Sequence, residues 1–127
     1  MAQPTKDLNE SKLEELQTKV LRDVSGSMGL IMAYMGDRLD LYSALAELGA
    51  ATSQKLADST GLDERYVREW PSSNAAAGYV NYDPVSVTFS MSPEQFVVFG
   101  QEGPPACMQG VFQAAETPTN MVLEARP

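Results

Sequence analysis

Adjacent carboxylates occur twice, at Glu14-Glu15 and Asp63-Glu64, and two carboxylates are the minimum equipment for paired acid and base work. Neighbouring residues on a helix point in different directions, so neither pair converges on one atom; solvated or capping roles are expected instead. A nucleophile needs a base, and the chain has no histidine, which removes Ser-His and Cys-His pairs. Its single Cys107 lies among apolar residues with no nearby cation to favour the thiolate. The same composition leaves no Cys/His metal constellation and no internal disulfide. A nucleotide cofactor needs a glycine-rich turn from strand to helix. The nine glycines never fall in a G-x-G pattern, and the nearest approach, Gly26-Ser27-Met28-Gly29, follows a polar segment rather than a strand. No catalytic, cofactor-binding or metal residue is therefore expected. What remains is a set of cations, Lys55, Arg65 and Arg68, in a segment where arginine could read bases from the major groove.

Those cations sit in the stretch from Thr52 to Val80. Thr52 or Ser53 can cap a short first helix by accepting a hydrogen bond from a first-turn amide. Leu56 and Ala57 then face inward, Gly61 takes a sharp turn that favours a residue without Cβ, and Asp63 caps a second helix. Ala57, Gly61 and Val67 supply the small residue, turn glycine and buried aliphatic of a helix-turn-helix, with Leu56, Leu62 and Trp70 between them. After Gly78 the pattern alternates: Tyr79-Val80-Asn81-Tyr82 and Val87-Thr88-Phe89-Ser90-Met91 flank the turn Asp83-Pro84-Val85-Ser86. That is a β-hairpin. The expected fold is mainly α, a winged helix-turn-helix with preceding helices and a small β-hairpin wing.

The charge argues against a duplex partner. From Ser53 to Glu69, Lys55, Arg65 and Arg68 face Asp58, Asp63, Glu64 and Glu69, and three minus four leaves −1. The wing from Tyr79 to Met91 holds neither Lys nor Arg, and the whole chain has nine Lys plus Arg against seventeen Asp plus Glu, a net charge of −8. Most affinity for DNA comes from neutralising phosphates. A DNA-binding transcription regulator, with Lys55, Arg65 and Arg68 as the contacts, is kept as an alternative only.

The 127 residues suffice for one compact domain with flanking helices. No apolar run reaches signal-peptide length or the roughly 20 residues of a membrane span, so a cytoplasmic location and no membrane partner are expected. Three segments are read: an N-terminal amphipathic helix over 1–22, the winged helix-turn-helix over 23–100, and a C-terminal helix with a frayed tail over 101–127. In the first, Leu13, Leu16 and Val20 form one buried stripe opposite Glu14, Glu15 and Lys19. Val24 to Leu39 is apolar nearly all round and wants burial on more than one side; another chain or another domain is the expected cover. Val24, Met28, Ile31, Met32 and Met35 are the candidate interface with a second copy or a catalytic domain. Adaptable methionines suit an interface or a substrate-facing wall, and ordinary core packing is the open alternative. Leu41 to Leu48 is a third helix that stops at Gly49. Ser92-Pro93-Glu94-Gln95 is a capping-box start for a helix ending at Gly100, and Met108, Val111, Phe112 and Ala115 fit one face of a last helix over Ala106 to Glu116.

The runs GDRLDLYSALAELG at Gly36 to Gly49, TGLDERYVREW at Thr60 to Trp70 and AAAGYV at Ala75 to Val80 resemble the N-terminal winged-helix domain of a group of class I S-adenosylmethionine-dependent methyltransferases. The match is ordered and extends from about Asp23 to about Phe112. In that group, the resemblance implies, the winged helix packs subunits together and covers the substrate side of a Rossmann-like catalytic domain, which would hold the S-adenosylmethionine. That domain is expected to be missing from this chain. A truncated dimerisation and substrate-cover module, not catalytic alone, is the leading expectation; a fragment of a methyltransferase is the second.

The resemblance also implies leucine in place of Pro71, an apolar residue in place of Asn74 and glycine in place of Asp40. Within a helix, proline removes a hydrogen bond and clashes with the preceding turn, at a cost of about 3 kcal/mol. An unpaired buried amide adds about 1–3 kcal/mol. The sequence therefore predicts a weakened second helix that stops at Trp70, with Ser72 or Ser73 capping a separate turn through Ala75 to Ala77.

Overall fold

The computed structural model of the chain describes residues 7–100, 108–112 and 124–125. Cys107, the Gly103-Pro104-Pro105 break, most of the last helix and the tail from Thr117 to Leu123 lie outside the described residues. Helix α1 runs unbroken from Glu10 to Arg38. Asn9 caps it by accepting from the Lys12 amide at 3.2 Å. It passes through Arg22 and Asp23 without interruption, bridged by a Lys19–Asp23 pair one turn apart at 2.6 Å and by the Ser27 hydroxyl donating to the Asp23 carbonyl. Helix α2 (Leu41–Leu48) follows, stopping at Gly49, whose φ of 78° suits a residue without Cβ.

Strand β1 (Ala50–Ala51) leads into α3 (Ser53–Thr60), α4 (Glu64–Val67) and α5 (Glu69–Ala76). Thr52, rather than Ser53, caps α3 by accepting from the Lys55 amide. Gly61 takes the left-handed turn at φ 70°, and Asp63 caps α4 through the Arg65 amide. The wing consists of β2 (Asn81–Asp83) and β3 (Thr88–Ser90). β3 is central in an antiparallel sheet of order β1-β3-β2, with Phe89 opposite both Ala51 and Tyr82. The Asp83 carboxylate closes the hairpin turn by accepting from the Val85 amide and the Ser86 hydroxyl, both at 2.9 Å; the first of these does most to hold it below the usual carboxylate range. Helix α6 (Pro93–Phe99) carries the expected capping box between Ser92 and Gln95, and α7 (Gln109–Phe112) packs against α1.

The core is an aromatic run. Trp70 of α5 meets Tyr42 of α2 edge-on at 4.7 Å, Tyr42 stacks on Phe99 of α6 at 5.0 Å, and Phe99 stacks on Phe112 of α7 at 5.4 Å. The Trp70 indole N–H donates to the Met32 carbonyl at 2.9 Å, which ties α5 to α1.

Three expectations change. The helical hydrogen-bond ladder is interrupted at Arg68, whose backbone stays right-handed helical at φ −49° and ψ −44°, and α5 runs on past Trp70 with Pro71 as its third residue. The first four amides of a helix have no intrahelical partner, and a proline there forfeits little. No separate serine-capped turn forms; α5 continues to Ala76. Asn74 is fully buried but satisfied: its side chain accepts from the Tyr42 hydroxyl and donates to the Trp70 carbonyl at 2.8 Å, so the predicted unpaired amide does not exist. Asp40 precedes α2 in the left-handed region at φ 56° and makes no side-chain cap, which explains why glycine would suit the position.

Candidate interaction surface

The C-terminal part of α1 is held by small residues. Gly29, Ala33 and Gly36 are buried at helical spacing, and a Cβ on Gly36 would overlap the Tyr42 ring and lie 2.7 Å from a Trp70 ring carbon. From Glu10 to Met28 the same helix is exposed at every residue. Leu16 is 60% exposed, Val20 49% and Leu21 67%. The expected burial of the Leu13, Leu16 and Val20 stripe is therefore overturned: among the described residues nothing covers it.

The five candidate interface residues divide along the helix. Val24, Met28 and Ile31 are exposed, while Met32 and Met35 are half-buried and pack against the core. Beside them a groove of about 410 Å³ opens between α1 and α5, walled by Val24, Ser25, Met28 and Gly29 on one side and Ser73 and Ala76 on the other. Sequence reading missed Leu21 and the α5 wall. The signal for Leu21 is its spacing of three from Val24, at the edge of the stripe that Leu16 and Val20 form; the α5 wall depends on a tertiary contact and has no local signal.

On the helix-turn-helix face Arg68 is engaged within the chain. Arg68 donates twice to Glu64 in the preceding turn, at 3.1 and 2.8 Å, and Ser53 donates to the same carboxylate at 3.1 Å. The Arg68 guanidinium, more than the serine, holds the Glu64 carboxyl below its usual range. Lys55 and Arg65 are exposed on α3 and α4. Of the paired carboxylates, Glu14 and Glu15 are exposed on α1, Asp63 is a helix cap and Glu64 is bound to Arg68. Gly26 to Gly29 lies inside α1, so its backbone amides are committed to the helix and do not form a nucleotide-binding turn. No group of acidic or sulfur ligands that could hold a metal, and no helix long and apolar enough to cross a membrane, occurs among the described residues.

A helix-turn-helix through α3 and α4, followed by the β2–β3 hairpin, defines a winged-helix domain. The chain belongs to the Rv2258c-like winged HTH domain family, whose family model matches residues 26–100. Eleven chains of solved structures match it. One is N,N-8-amino-8-demethyl-D-riboflavin dimethyltransferase, RosA, from Streptomyces davawensis, at 24% identity and a TM-score of 0.55 over 80% of this chain. The match spans 28% of the RosA chain. No curated protein matches.

Proposed function

We propose that this chain is the subunit-pairing and substrate-cover module of an S-adenosylmethionine-dependent methyltransferase, working in a reducing, cytoplasmic setting. The observation that carries the reading is the exposed apolar face of α1 from Leu13 to Ile31. A contiguous apolar surface of that length marks a contact site. The family and the fold shared with part of a dimethyltransferase support the methyltransferase setting.

The module itself would not transfer a methyl group. S-adenosylmethionine would be held by a Rossmann-like catalytic domain, and this chain's part is to pair copies and exclude water from the substrate side. Pairing of Arg68 with Glu64 and a net charge of −8 weigh against the DNA-regulator alternative.

Sedimentation equilibrium at micromolar concentration, with a gel shift against duplex DNA at low ionic strength, tests the proposal. Self-association without a shifted duplex supports it. A monomer that shifts DNA in a salt-dependent way overturns it.

A further inference from the structure

We infer that the pocket between the helix-turn-helix and the wing binds an uncharged, flat aromatic compound that carries a carbonyl acceptor at one edge. The pocket has a volume of about 420 Å³, within the range of about 300–1,000 Å³ usual for small-molecule sites. It shares no residue with the exposed face of α1 or with the groove beside it, so it stands apart from the proposed pairing role.

The wing supplies an apolar wall. Tyr82 of β2 faces Phe89 of β3 with ring centroids 5.0 Å apart, and Ala75 of α5 adds a small side chain beside them. Phe89 is buried whereas Tyr82 is 45% exposed, which leaves part of an aromatic ring open to a flat partner. Val87 extends that wall from the left-handed region at φ 56°, a conformation that strains a β-branched side chain. Hydrogen bonds on either side hold it there: Asp83 ties down the Val85 amide and the Ser86 hydroxyl, and the Ser86 and Thr88 hydroxyls meet at 2.7 Å. Strained residues of this kind collect at ligand sites.

The opposite side is polar and fixed in place. Ser53 donates to Glu64, and the two oxygens of Glu64 accept from Nε and Nη2 of Arg68. A guanidinium has five N–H donors and two are used here, so three remain, in a plane that the pairing with Glu64 sets. Ser72, one turn along the chain from Arg68 and exposed, offers a hydroxyl to the same pocket.

Charge decides the class of ligand. Glu64 already neutralises Arg68, Glu69 acts on the same guanidinium, and the chain carries a net charge of −8. A carboxylate or phosphate would meet repulsion from both glutamates, whereas a neutral carbonyl accepts from the remaining N–H donors without it. A cation would find both Glu64 oxygens engaged.

The test is a titration of the full, isotope-labelled chain with 1-naphthamide, followed through backbone amide shifts by NMR. 1-Naphthoate and the variants Arg68→Met and Val87→Gly are titrated alongside. The expected shifts fall on α5 and the wing around Ser72, Tyr82 and Phe89. Affinity is expected to be roughly tenfold lower or more for naphthoate, and for naphthamide in each variant. Methionine keeps much of the length of Arg68 without its donors, and glycine suits the backbone at position 87, so both variants should keep the fold and the far-ultraviolet dichroism. Naphthoate binding as tightly as naphthamide overturns the uncharged class. Unchanged affinity in either folded variant, no shifts at millimolar naphthamide, or shifts that fall on α1 overturn the site, and each of these leaves the pairing role untouched.

Discussion

The Tyr42 hydroxyl of α2 donates to the side-chain carbonyl of Asn74 in α5, joining two buried residues 32 positions apart. Asn74 holds two elements at once, because its amide also returns to the Trp70 carbonyl and its backbone carbonyl accepts from Tyr79 at 2.8 Å at the entry to the wing. Tyr42→Phe strands the Asn74 carbonyl, and Asn74→Leu strands the hydroxyl. Each is expected to cost about 1–3 kcal/mol in urea unfolding. The double variant should cost clearly less than the sum, since both stranded groups are then gone; strict additivity would show that the bond contributes nothing.

Burial, more than the nearby Tyr79 and Asp37, raises the Tyr42 hydroxyl well above the ordinary tyrosine value. In the unfolded chain this group ionises near pH 10. Above that pH the unfolded state releases a proton that the folded state keeps, so stability falls as pH rises. Unfolding free energy should hold steady below about pH 10 and decline above it, with a shallower decline in Tyr42→Phe. An unchanged slope in that variant would remove Tyr42 as the cause.

Two glycines of α1 should respond in opposite directions. Gly36→Ala forces a methyl into the Tyr42 and Trp70 rings and should cost about 1–3 kcal/mol. Gly26 has no neighbour within 4 Å of a built Cβ, so Gly26→Ala should stabilise by about 0.5–1 kcal/mol through helix propensity alone. Thermal melts of the two variants check both signs.

Pro71→Leu should change stability by less than about 1 kcal/mol, because Pro71 stands in the first turn of α5, just past the interruption of the hydrogen-bond ladder at Arg68. A gain near 3 kcal/mol would instead restore the sequence-based expectation of a strained interior proline.

Local chemistry was legible in the sequence. Asp63 and Ser92 cap where their types place them, Gly61 turns left-handed, and α2 runs from Leu41 to Leu48 as read. Elements that depend on distant partners were not. β1 is two alanines without strand propensity, and it exists because Ser90 and Phe89 pair with it. Asn74 reads as a defect until Tyr42 is brought beside it. Arg22 and Asp23 lie within α1, where one-turn contacts from Lys19 and Ser27 carry the helix through. The spacing of Leu13, Leu16 and Val20 marks an amphipathic helix, but nothing in the sequence says that the stripe stays exposed.

The proposed pairing role depends on that stripe. Sedimentation equilibrium of the chain and of its Leu16→Lys, Val20→Lys variant, at the same micromolar concentration, measures it directly. Both positions are exposed, so the variant should keep its fold and its far-ultraviolet dichroism. The account predicts twice the 13.8 kDa chain mass for the unaltered protein and the single chain mass for the variant. Equal masses for the two, whether monomer or dimer, would contradict it.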